Sequence, residues 1–166
     1  MEFNVLMVKR SNLRRLNPDI KYNDYTLQKL INYIMKQGKK TIAERIVYDA
    51  IELVKEDATI PKDITVVDIV KKLMGNIKPI VYVVPKRIRG ATYPVPCEIK
   101  PAKAEKLALT WLRDGAHKRK GMNMDVALAK ELVDAFNGVG YAFKQKEQTH
   151  ASAKSNRAFA HLGSAR

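Results

Sequence analysis

Apolar residues along this chain recur with two different periods, and the change between them divides it. From Asp24 the positions Leu27, Leu30, Ile31, Ile34 and Met35 fall at i, i+3, i+4, i+7 and i+8, one stripe of a helix. Asp24 is placed to cap its start, and Gly38 to end it in the left-handed conformation that glycine enters without steric cost. Thr41 and Glu44 have the spacing of a capping box, which predicts a second helix there. Its stripe is Ala43, Ile46, Val47, Ala50, Ile51 and Val54. A polar linker with Pro61 follows. Thr65 and Asp68 then open a third helix carrying Val66, Ile69, Val70 and Leu73, with Gly75 as its expected stop.

The helical period then lapses. Ile80 to Val84 is a β-branched and aromatic run, and Thr92 to Ile99 is a second extended run. Between them lies Lys86-Arg87-Ile88-Arg89-Gly90-Ala91, so the segment at about 79–99 predicts a β-hairpin arm with a cationic tip. Pro85, Pro94 and Pro96 lack ladder donors, which makes both strands edges. A lone two-stranded hairpin is marginal, so its base should pack on the helices and its tip lean on a partner.

Pro101 opens a fourth helix with two stripes. Ala104, Leu107, Ala108, Trp111 and Leu112 form a core face, which places Trp111 inside rather than against a base. Lys103, Lys106, Thr110, Arg113, His117 and Lys120 form a cationic ridge. Asn123 caps a fifth helix with Met124, Ala127, Leu128, Leu132, Ala135 and Phe136 inward, ended by Gly138 and Gly140. The tail, about 141–166, is expected to be partly helical; with no large apolar residue between Lys144 and Arg157, burial alone should not order it. Residues 1–20 read as a basic arm with Lys9, Arg10, Arg14 and Arg15, closed by a Pro18-Asp19 turn. The expected architecture is mostly α, a single bundle of about six helices with a protruding β-hairpin over residues 1–166.

Charge sharpens this picture. The chain has 31 Lys and Arg against 17 Asp and Glu, a formal net charge of +14. Such an excess favours a polyanion, since each neutralised phosphate releases condensed counterions. No apolar run approaches the roughly 18 residues that span a bilayer, and Met1 to Met7 is too short for a secretory signal, so no membrane partner is expected. One cysteine, Cys97, excludes an internal disulfide and reads as a small buried strand residue.

Catalytic chemistry finds no foothold. His117, His150 and His161 are scattered among basic residues without metal-ligand spacing, so no metal, cofactor, small-molecule substrate or enzymatic activity is expected. Gly38-Lys39-Lys40-Thr41 is no phosphate-binding loop: Tyr33 stands where a glycine is required, and no Ser or Thr follows the first lysine. It reads instead as a helix-to-helix turn offering lysines to phosphate. Tyr93, near the hairpin tip, has two open fates, stacking on a base or pairing across strands.

Asp24-x-Thr26-x-x-x-Leu30-Ile31, then Gly38-Lys39-Lys40, then Ile46-Val47-x-x-Ala50 resembles the signature of the small-subunit ribosomal protein seven family. Lys86 to Tyr93 with Val95-Pro96 resembles that family's hairpin, and Ala108 to Leu112 with His117 to Lys120 its fourth helix. Glu147 to His150 with Asn156 to His161 is similar to its C-terminal block, although Ala151 stands where the family usually has Arg. The resemblance implies a six-helix domain with a hairpin, a translation component that binds the 3′ major domain of small-subunit rRNA and nucleates head assembly. It implies neighbouring head proteins as partners, with the hairpin beside exit-site tRNA and the mRNA exit path.

The rRNA contacts expected are Lys9, Arg10, Arg14 and Arg15 of the arm, Lys36, Lys39 and Lys40 of the turn, and Lys86, Arg87 and Arg89 of the hairpin. Lys103, Lys106, Arg113, His117, Lys118, Arg119 and Lys120 of the fourth helix join them, with Lys144, Lys146 and Arg157 of the tail. Lys86, Arg87, Arg89 and Tyr93 are the tRNA- and mRNA-proximal set. Frequent Lys, Ile and Asn suit a ribonucleoprotein of an organelle, mitochondrion before plastid, with a bacterial cytoplasm the other setting. A DNA-binding helical module is the rival function; it lacks an Asn, Gln and Arg cluster suited to base edges.

Overall fold

The computed structural model describes residues 17–61, 64–88 and 90–163. Its elements are α1 (Tyr25–Ile34), α2 (Lys40–Glu56), α3 (Val66–Ile77), β1 (Val81–Ile88), β2 (Ala91–Glu98), α4 (Pro101–Lys118), α5 (Met124–Phe136) and α6 (Gly140–Ser155). A short 3-10 segment, Arg157–Gly163, follows. The architecture is mostly α with a two-stranded hairpin.

Two helix starts follow their predicted caps. The Asp24 side chain accepts from Thr26 N–H at 2.6 Å, and Thr65 Oγ1 accepts from Asp68 N–H at 3.3 Å while donating to Asp68 Oδ2 at 2.6 Å. Other boundaries differ. α1 ends at Ile34, before Gly38, because Met35 turns extended and packs its side chain on the core. The Thr41–Glu44 capping box does not form: α2 starts at Lys40, which puts Thr41 inside the helix, and Glu44 pairs instead with Lys40 at 3.4 Å. α3 runs through Gly75 to Ile77, since Met74 and Ile77 continue its buried stripe. Asn76 Nδ2 also donates to the carbonyls of Ala135 and Phe136, tying the end of α3 to the end of α5.

α5 is the central element, packed against α2, α3, α4 and α6. Leu109, Leu112, Leu128, Ile31, Val47 and Ile77 are nearly inaccessible in the shared core. Trp111 lies partly buried against that core, as its stripe predicts. The α6 segment is a continuous helix of 16 residues, more regular than its composition suggests. Ala142 is buried in the bundle core and Ala153 lies beside Val81 and Pro96 of the hairpin, Lys146 Nζ donates to Asn76 O at 2.7 Å, and Ile80 N–H donates to His150 Nε2 at 3.1 Å.

Where the basic arm was expected to end, Asp19 is only 2% exposed. It accepts from the Lys21 and Tyr22 amides and, at 2.6 Å, from the Tyr48 hydroxyl, so the turn is fastened to α2. In the hairpin, Lys86 pairs with Tyr93, Arg87 with Thr92 and Ile88 with Ala91. Lys86 and Arg87 are therefore strand residues, not tip residues. Ile99 N–H donates to Ile80 O, so the ladder's hydrogen-bonded pairs fall on even positions of β1. Pro85 and Pro94 face each other at a non-hydrogen-bonded pair, where neither missing N–H is needed.

Candidate nucleic-acid interface

α4 carries its cations along 18 residues, about 27 Å at 1.5 Å per residue. Lys103, Lys106, His117 and Lys118 are exposed, Arg113 partly so, and Lys120 is exposed just beyond the helix. The α1–α2 turn presents Lys36, Lys39 and Lys40, all exposed. These two segments are some 80 positions apart in the chain. The fold joins them: Lys36, Lys39 and His117 share the rim of one groove of about 360 Å³. Although His117 is exposed, partial desolvation against the groove lowers its imidazole pKa from the ordinary value, and the charges of Lys36 and Arg113 lower it further. Among the described residues neither Lys36 nor Lys39 has a carboxylate partner, so positive charge accumulates there uncompensated. Such a site attracts an anion, and the groups reach it from two rigid elements.

The groove floor was not legible in the sequence. Ile42 and Met122 are exposed large hydrophobics, and Ile46 and Met124 lie beside them. Ile42 sits off the apolar stripe of α2, and that displacement was the available signal.

Several predicted contacts have internal roles. Arg119 donates to Glu131 Oε2 through Nη2 (2.9 Å) and Nε (3.3 Å), and it also bonds Asp134. Desolvation opposes its charge, but the Glu131 and Asp134 hydrogen bonds outweigh this and raise its pKa. It is engaged in this ion pair, and it also lines the groove shared by Lys36, Lys39 and His117. Glu131, 1% exposed, also accepts from Ala142 N–H at 2.9 Å, so it caps the first turn of α6 from a neighbouring helix. A charged residue four positions after Ala127 on the inward stripe of α5 was the overlooked signal for this knot.

Lys40 pairs with Glu44, Arg113 with Asp114 at 2.7 Å, and Lys146 is held by Asn76 O. Lys103 sits over Tyr82 and Lys118 over Tyr141, each 3.9 Å from the ring centroid, contacts that leave the charge uncancelled. Lys106, Lys120, Lys144, Arg87 and Arg157 are exposed, with no ion pair among the described residues. Lys103 and Lys106 lie at the far end of α4 from His117, and Lys144 lies on the side of Lys118. Tyr93 packs on Phe159 with ring centroids 5.6 Å apart, and Lys86 Nζ donates to Leu162 O at 3.3 Å. Lys9, Arg10, Arg14, Arg15 and Arg89 lie outside the described residues.

Among the described residues no cluster of His, Cys, Asp and Glu suits a metal ion. No helix there is long and apolar enough to cross a membrane.

Residues 7–157 match the family described as ribosomal protein S7p/S5e. The small ribosomal subunit protein uS7 of Chloroflexus aurantiacus is 43% identical over 159 residues, covering 95% of this chain and 99% of its own length. The protein of the same name from Thermotoga petrophila is 42% identical over 153 residues, 92% of this chain and 96% of its own. That of Dictyoglomus turgidum is 45% identical over 148 residues, 89% of this chain and 92% of its own. These relatives are bacterial, and the organellar setting suggested by Lys, Ile and Asn content finds no support in them.

Proposed function

The chain belongs to the ribosomal protein S7p/S5e family, and from that premise we propose how it works as a structural, non-catalytic constituent of the small ribosomal subunit. It binds the 3′ major domain of small-subunit rRNA as one domain and seeds folding of the head. Its work is positional: cations on rigid helices hold RNA segments together, and no bond is made or broken. The observation that carries this reading is the meeting of Lys36, Lys39 and His117 at one groove, from a turn and a helix distant in sequence, with the Arg113 charge acting on His117.

Phosphate recognition needs little more than such a set. Lys36 and Lys39 supply point charges; Arg113, whose fork is held by Asp114, adds positive field beside His117; and His117 is a group that gains charge as phosphate approaches. The apolar floor of Ile42 and Met122 gives an RNA strand a surface to lie on once its phosphates are held at the rim. Lys106, Lys120, Lys144 and Arg157 extend the cationic surface around the bundle, and Arg87 extends it along the hairpin. In this arrangement the hairpin reaches toward exit-site tRNA and the mRNA path, and neighbouring head proteins complete the surroundings.

The test is a salt-titrated binding assay with a 3′ major-domain rRNA fragment, using duplex DNA of equal length as competitor, with chemical footprinting of the RNA. The expected result is preference for RNA by orders of magnitude and protection of a compact multi-helix junction. Equal binding to both polymers, with one salt slope and no footprint, would leave only a nonspecific polyanion surface.

A further inference from the structure

The hairpin cannot hold its own orientation. It has two strands, both of them edges, and β1–β2 is its only sheet partnership among the described residues. Isolated hairpins of this kind are marginal in water. Yet Val95, well along β2, is fully buried. Strand alternation puts Lys86, Tyr93 and Val95 on one face, while Arg87 and Thr92 occupy the other. The C-terminal 3-10 segment lies against β2. Phe159 meets the Tyr93 ring, and the Leu162 carbonyl accepts from Lys86. At the root, His150 of α6 accepts from Ile80 N–H. The hairpin is thus held at its root by His150 of α6 and by Lys103 of α4, which sits over Tyr82, and toward its tip by the segment that follows α6.

We infer that the segment Arg157–Gly163 is a brace that fixes which face of the hairpin is turned outward, with Phe159 as its positioning residue. Bracing the Tyr93 face leaves Arg87 and Thr92, both exposed, as the presented face. The ligand class for that face is a polyanionic backbone, because Arg87 has no carboxylate partner among the described residues. This last step rests on the RNA-binding reading; the bracing itself does not. Phe159 contributes no charge, so its effect on RNA passes entirely through the hairpin.

Two measurements on the full chain test this. In amide hydrogen exchange without RNA, Phe159→Ala should lower protection of residues 81–98 by about tenfold or more while α5 keeps its protection within about twofold, as expected when one local unit opens independently. Phe159→Tyr, which keeps the ring, should restore it. Unchanged hairpin protection, or a loss spread equally over α5, would overturn the brace. The second measurement is a double-mutant cycle on binding to the rRNA fragment. Arg87→Ala should weaken binding about 5- to 10-fold and reduce the salt slope by about one in the parent chain. In the Phe159→Ala background the same change should cost less than about twofold, because Arg87 is no longer held in place. Equal cost in both backgrounds overturns the positioning role. If the parent chain does not prefer the RNA fragment over duplex DNA, the ribosomal reading fails by itself, and the exchange measurement still decides the brace.

Discussion

Two glycine-to-alanine changes should move stability in opposite directions. Gly75 lies inside α3, exposed, with nothing within 4 Å of an added Cβ. Gly75→Ala should therefore gain the ordinary helix-propensity difference, about 0.5–1 kcal/mol. Gly115 lies inside α4, where the same backbone gain applies. However, its Cβ would come within 2.7 Å of Glu131 Cδ and 2.8 Å of Glu131 Oε1. Glu131 cannot yield cheaply, because it is buried and held by Arg119 and by Ala142 N–H. Overpacking costs about 1–3 kcal/mol, and losing one hydrogen bond to a charged group adds about 1.5–3 kcal/mol. After the propensity gain, the expected net loss for Gly115→Ala is about 2–5 kcal/mol. In a domain of this size that lowers Tm by about 5–15 °C, against a rise of about 2–4 °C for Gly75→Ala. Urea unfolding with a shared m-value, together with calorimetry, reads both. If Gly115→Ala stabilises as much as Gly75→Ala, the Glu131 knot is not packed as described and the reasoning fails.

The remaining expectations concern charge and titration. Lys36→Ala with Lys39→Ala should flatten the salt dependence of rRNA binding by about two units of log–log slope, with Tm unchanged within about 1 °C; a drop in Tm without a change in slope refutes their placement at phosphate. Desolvation and the charges of Lys36 and Arg113 lower the His117 pKa in the free protein, so a phosphate placed there should raise it and draw a proton onto the ring. RNA affinity should then rise as pH falls below about 6.5, more steeply than for His117→Gln; parallel pH profiles would exclude it from the interface. Burial, and then the hydrogen bond to Asp19, pushes the Tyr48 phenol up to about 12. The unfolded chain ionises first, near 10, so stability should be full below that pH and decline as pH rises from about 10 to about 12. Tyr48→Phe should remove that component and cost about 1–3 kcal/mol at neutral pH by taking a donor from buried Asp19. An unaltered alkaline profile in the variant would refute the link.

The sequence by itself determined whatever depends on neighbours along one element. The stripes of α1 to α5, the caps Asp24 and Thr65, and the hairpin all follow from side-chain periods of 3.6 and 2 and from local amide satisfaction. The cationic ridge of α4 was legible for the same reason, since one helix face is a sum of residues three and four apart. Only the tertiary structure decided the rest. α3 passes Gly75 because burying Met74 and Ile77 outweighs one glycine's conformational cost. α6 is regular although it has no broad apolar stripe, because it buries Ala142 and Ala153 and is tied to Glu131, Asn76 and Ile80 by hydrogen bonds with other elements. Which cations are paired was equally hidden: Arg119 and Lys36 line the same groove and look alike in a basic sequence, yet Arg119 is paired with Glu131 and Asp134 while Lys36 has no carboxylate partner among the described residues. Hydrophobic period is a property of one element, whereas electrostatic partnership is a property of distances between elements, and only the folded chain sets those distances.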